Sequence, residues 1–134
     1  MDGTTEILAG LPIFATLEPR SLQAVALLAK VIHVNAETVL MREGDAAESF
    51  FVIVTGTVHV THDGRLVRSM TDGGFLGEVG LLGTGERTAT ATCATDCELI
   101  ELGSFEFGRV LATFPDVRAR VEAAVARRPH AADR

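Results

Sequence analysis

The spacing of apolar residues divides the chain into three stretches. Up to Lys30 it is helical. Leu11-Pro12-Ile13-Phe14 is an apolar entry, and Glu18-Pro19-Arg20-Ser21 places a proline early, as helix starts do. Leu22, Val25, Ala26, Leu28 and Ala29 then recur at helical spacing. From Val31 the period drops to two. Residues 32–34 and 38–41 read as short strands split by Asn35-Ala36-Glu37, and residues 42–45 as a turn. Residues 49–55 are a β-rich run, which Gly56 interrupts at a bulge or tight corner. Val58 and Val60 share one face of the next strand, and Thr57, His59 and Thr61 the other. Asp63-Gly64 signals a hairpin.

Residues 88–93 and 98–102 read as two further strands. Helical spacing returns after Gly103, with Ser104 as a candidate N-cap and Phe105, Val110, Leu111 and Phe114 as an apolar stripe. Pro115 breaks that helix. A last helix over 116–128 carries Val117, Val121 and Val125 on one face and stops at Pro129. The expected fold is α+β, an antiparallel β-barrel or jelly roll with helices at both ends. Its parts are an N-terminal helical segment (1–30), the barrel (31–103), C-terminal helices (104–128) and a tail (129–134). No internal repeat and no second domain are visible.

Composition narrows the partners. The chain has 134 residues, enough for one real core, and 47% of them are hydrophobic. No apolar run approaches the ~18 residues of a membrane span, and no secretory signal opens the chain. Cys93 and Cys97, four apart, match neither a CxxC pair nor a disulfide framework. On a single strand they would share a face as small core residues, which implies a reducing, cytoplasmic setting. A net charge of −6 argues against a nucleic-acid surface. Of the twelve basic residues only Lys30 is lysine, the usage of a GC-rich bacterial genome. With no Trp or Tyr, stacking on a base would fall to Phe.

The chemistry concentrates in residues 75–90, FLGEVGLLGTGERTAT. Four glycines, at 77, 80, 83 and 85, let backbone N–H groups approach a ligand closely, while Val79, Leu81 and Leu82 pin the segment to a core as one short helical turn. Such amides and Arg87 make a small anion site. A carboxylate beside it, Glu78, suits a hydroxyl donor instead. One anion and one hydroxyl held together describe a sugar phosphate. Elsewhere no nucleophile–base pair or catalytic carboxylate pair stands out. The histidines at 33, 59, 62 and 130 form no metal site on this reading: His59 and His62 are too few, and no nearby carboxylate completes a set. Arg118, Arg120, Arg127 and Arg128 read as a solvated basic helix end.

The same stretch resembles the phosphate-binding cassette of the cyclic nucleotide-binding domain family, found in protein kinase A regulatory subunits, the catabolite activator protein and cyclic-nucleotide-gated channels. The family pattern runs Phe, any residue, Gly-Glu, an apolar residue, Gly or Ala, Leu, then Arg-Ser/Thr/Ala-Ala-Thr/Ser. Every position is filled here, and the Glu78-to-Arg87 spacing is unbroken. The likeness extends from about Leu11 to Arg128 and includes the placement of Gly44-Asp45, Phe51 and Gly56.

The resemblance implies a non-catalytic module that binds cAMP, cGMP or both, without a metal. It assigns Arg87 to the phosphate and Glu78 to the ribose 2′-hydroxyl. Gly77, Thr88 and Ala89 would contribute backbone amides, and the Thr88 hydroxyl keeps cGMP open beside cAMP. Val60 and Met70 fall where channel-type relatives line the base pocket, with plain barrel core as the alternative. Arg128 has the spacing of a lid arginine, although a cation near a helix end is also routine. Binding would move the final helix. With no helix-turn-helix after that helix, the output is expected in a partner protein or a larger polypeptide. Two rival readings are a nucleotide-free interaction or dimerisation module and a regulatory fragment of an enzyme, transporter or channel.

Overall fold

The computed structural model of the chain describes residues 3–127. Among them, eight strands form two four-stranded antiparallel sheets. The first runs β1 (Lys30–Val34), β8 (Cys97–Gly103), β3 (Ser49–Thr55), β6 (Phe75–Leu76); the second β2 (Val39–Met41), β7 (Thr90–Cys93), β4 (Val58–His62), β5 (Arg65–Met70). Ahead of them lie α1 (Gly3–Ala9), a 3-10 turn (Pro12–Phe14) and α2 (Pro19–Leu28). The short α3 (Glu78–Leu82) interrupts the strands, and α4 (Ser104–Thr113) and α5 (Pro115–Arg127) follow them. The architecture is the expected α+β jelly roll with helices at both ends.

Two cores explain the order of the sheets. Phe51, Ile53, Leu76, Cys97 and Leu99 of the first sheet meet Val58, Val60, Ala91 and Cys93 of the second between the layers. The other face of the first sheet, with Phe50, Val52, Ile100 and Leu102, is covered by helices through Leu8, Phe14, Val25, Phe107, Val110, Val117 and Val121. Phe50 stacks on Phe107 with ring centroids 4.5 Å apart. β3 and β8 are therefore buried on both faces, which is why residues 50–53 are an unbroken apolar run. β4 has core on one side only and alternates: Val58 and Val60 are buried and His59 is exposed.

Local signals placed most boundaries. Asp63 (φ 51°) and Gly64 (φ 79°) form the two-residue turn between β4 and β5. Gly56 turns the corner from β3 to β4, and a register shift between Ile53 and Thr55 precedes it. Five readings are corrected. The first strand begins at Lys30, and β7 begins at Thr90, because Thr88 and Ala89 remain in the loop. Cys93 and Cys97 do not share a strand: a turn separates the end of β7 from the start of β8, and both thiols reach the inter-sheet core from opposite sheets. Ser104 is the first helical residue of α4, and Gly103 is the N-cap, with no side-chain capping bond. Pro115 opens α5 rather than preceding it, the position where a missing N–H costs nothing. Arg128 and the 129–134 tail lie outside the described residues.

Candidate functional site

The loop that carries Arg87 is stitched to the turn after β2 through backbone alone. Arg87 N–H donates to Asp45 O (2.7 Å), Gly44 N–H to Arg87 O (2.9 Å), and Ala47 N–H to Gly85 O (2.7 Å). The β-bridge between Ala46 and Glu86 completes the seam. α3 starts from β6 through Gly77, whose φ is 102°. A Cβ at Gly77 would sit 2.7 Å from Ser49 O and 3.0 Å from Arg87 Nη1, so only glycine lets the backbone and the guanidinium approach this closely.

Arg87 and Glu78 are buried together, at 7% and 0% exposure, where an isolated charge of either sign would be costly. The Arg87 guanidinium donates from Nη2 to Ser49 O (2.7 Å) and from Nη1 to Gly77 O (3.2 Å). Burial lowers its pKa from the ordinary guanidinium value, while Glu48 and Glu78 nearby push it back up. Two of its five N–H groups serve these carbonyls, and the rest of the fork suits an oxyanion.

A cavity of about 340 Å³, counted out to its open mouth, joins these groups. Gly77, Glu78, Arg87, Thr88 and Ala89 line it, as does Val60 from β4. Six of the expected site residues thus meet around one space. Met70 is not among the lining residues; it pairs with Val58 and packs on the inter-sheet core. Arg128 lies outside the described residues.

Lining residues from outside the cassette that were not anticipated include Met41 from β2, Arg68 from β5 and Ala91 from β7. Counting outward from the Asp63-Gly64 turn would set Val67 opposite Val60. The ladder instead slips between Thr61 and Val60, so that Arg68 stands opposite Val60 and shares its inward face. Nothing in the residues themselves announces that bulge. His62 also departs from expectation, for the fold brings Glu43 and Asp63 to it. His33 pairs with Glu98 across β1 and β8 at 2.8 Å.

Comparison with known proteins agrees with this geometry. The family model for the cyclic nucleotide-binding domain matches residues 31–114, more than half of the chain. Potassium/sodium hyperpolarization-activated cyclic nucleotide-gated channel 2 of Mus musculus is 30% identical over 117 residues, which are 87% of this chain and 14% of the channel. The regulatory domain of Toxoplasma gondii PKA, solved with cAMP, superposes at a TM-score of 0.69 with 32% identity, covering 80% of this chain and 42% of that one. The regulatory subunit of a cAMP-independent protein kinase A from Trypanosoma brucei superposes at 0.82, covering 91% and 44%; at 18% identity it shares the fold alone. The chain spans a small part of the channel it matches. It belongs to the cyclic nucleotide-binding domain family.

Proposed function

We propose that the chain is a regulatory ligand-binding module for a 3′,5′-cyclic nucleotide, cGMP in preference to cAMP, with no catalysis of its own. The observation that carries the reading is the meeting of Arg87, Glu78 and Gly77 at one wall of the cavity with Val60 and Arg68 at another. Arg87 and the cassette amides receive the cyclic phosphate, and Glu78 accepts from the ribose 2′-hydroxyl. The base lies against Val60 and Met41.

Arg68 gives the preference between bases. Guanine presents two acceptors, O6 and N7, on the edge that an arginine fork matches in bidentate fashion. Adenine replaces one of them with an amino donor. Such a pair is worth ~1–3 kcal/mol of discrimination, or roughly 5- to 150-fold. Side-by-side calorimetric titration with cGMP and cAMP tests the reading. One equivalent of each should bind, cGMP more tightly. Absence of binding by either nucleotide would favour the nucleotide-free interaction module, in which Arg87 only holds the carbonyls of Ser49 and Gly77.

A further inference from the structure

Away from that cavity, three metal-ligating side chains converge from two turns. His62 ends β4, Asp63 follows it in the hairpin turn, and Glu43 comes from the turn after β2. His62 Nδ1 lies 3.1 Å from Glu43 Oε2, and His62 Nε2 lies 3.4 Å from Asp63 Oδ2. One ring nitrogen and one oxygen from each carboxylate all fall within 4.8 Å of one another.

We propose that Glu43, His62 and Asp63 form a binding site for a divalent transition-metal ion of the zinc class. Nitrogen and oxygen ligands stand ~2.0–2.2 Å from such an ion, which sets neighbouring ligand atoms roughly 3–3.5 Å apart. Glu43 Oε2 already stands at that distance from His62 Nδ1; Asp63 Oδ2 faces the other ring nitrogen, and with one ligand atom of each residue within 4.8 Å of the others, rotation of the exposed Asp63 carboxylate brings all three onto one ion. Two carboxylates and a neutral imidazole balance a dication, and the mixed nitrogen and oxygen set suits zinc or cobalt. Calcium wants about six to eight oxygens and magnesium a largely hydrated shell. Asp63 is exposed, so water can complete the coordination.

Backbone amides tie the ligand-bearing turns together. Asp63 N–H donates to Glu43 Oε1 (2.9 Å), and Glu43 N–H donates to Thr90 Oγ1 (3.1 Å). An ion here clips the β4–β5 hairpin tip to the turn whose next two residues, Gly44 and Asp45, hold the Arg87 backbone.

An imidazolium held between two carboxylates would give the same distances but bind no metal, so titration separates the two. Metal-stripped full chain is titrated calorimetrically with zinc chloride in the absence of nucleotide, which keeps the outcome independent of the cyclic-nucleotide reading. One equivalent should bind and raise the thermal midpoint. His62→Gln, Glu43→Gln and Asp63→Asn should each weaken binding by at least ~10-fold, the loss that changing even a group behind a ligand produces. Asp63→Asn keeps the turn, because asparagine tolerates its positive φ, so a folding defect cannot be the cause. His59→Gln, exposed on the opposite face of β4, should bind as the parent does. No saturation at one equivalent, undiminished zinc binding in Asp63→Asn and His62→Gln, or equal binding of magnesium and calcium would overturn the proposal.

Discussion

Arg87 has two duties, and they can be measured separately. It faces the cavity, and it also satisfies the carbonyls of Ser49 and Gly77. Arg87→Ala removes the counter-charge for a phosphate and should weaken cyclic nucleotide by ~2–5 kcal/mol, roughly 30- to 5,000-fold. It also strands two acceptors and should lower stability by ~1–3 kcal/mol, visible in the denaturant midpoint of the free protein. Unchanged affinity would remove Arg87 from the ligand, whatever happens to stability. At Arg68 the expectation is selective. Arg68→Met should cost cGMP ~5- to 150-fold and leave cAMP within a few-fold; equal losses would place the guanidinium on the phosphate. Arg87 was legible because its neighbours in sequence are its neighbours in the site. Arg68 was not, because a bulge decides which of two adjacent residues faces inward.

Among the elements, the turn joining β7 to β8 shows where periodic reading fails. Cys93 and Cys97 are even-spaced, so a period of two sets them on one strand face. The turn at Ala94–Asp96 instead folds the chain back, and each thiol enters the core from its own sheet. Burial first, and then the Cys97 thiol beside it, push the Cys93 thiol from 9.0 up to about 12. The unfolded chain therefore ionises this group before the folded one does. Its contribution to stability is full below pH 9.0 and is lost as pH rises toward about 12. The unfolding midpoint should stay level up to that lower bound and fall above it, less steeply in Cys93→Ala. At neutral pH both thiols should resist alkylation until the protein is unfolded; rapid modification of the native state would show that the turn opens. The long amphipathic elements and the Asp63-Gly64 hairpin were plain in the sequence because each is written locally. The two-residue β6 was not, since it is held by pairing with the distant Phe51 and Val52.

In the whole molecule, the open question is how a filled cavity changes anything outside it. α5 is the element that could carry the change, but its buried face is not the valine stripe expected from the sequence. Val117, Val121 and Ala124 are buried at 1%, 0% and 4% exposure, whereas Val125 is half-buried. Alanine carries little weight in a hydrophobic pattern, so the true stripe was misplaced by one residue. Arg120 Nη1 also donates to Thr16 Oγ1 (2.9 Å), fastening the middle of α5 beside the 3-10 turn. The first two turns are thus core. The cavity reaches them through α3: Glu78 and Gly77 line the site, and Leu81, on the same short helix, packs against the cluster that contains Val117 and Val121. A nucleotide that binds better when α3 is drawn toward the cavity would shift the population of α5 positions by that difference in affinity. Exchange should then be graded along α5. Amides near Val117 and Val121 should exchange slowly with or without ligand, and those from Ala123 to Arg127 should gain protection only when cGMP saturates the site. Leu81→Ala should leave the cavity-lining groups in place, cost ~2–3 kcal/mol of stability, and abolish the ligand-dependent part of the protection. Identical exchange along the whole of α5 in free and saturated protein would mean that the helix is a fixed wall of the core, and that the signal leaves through the seam between the cassette and the turn after β2.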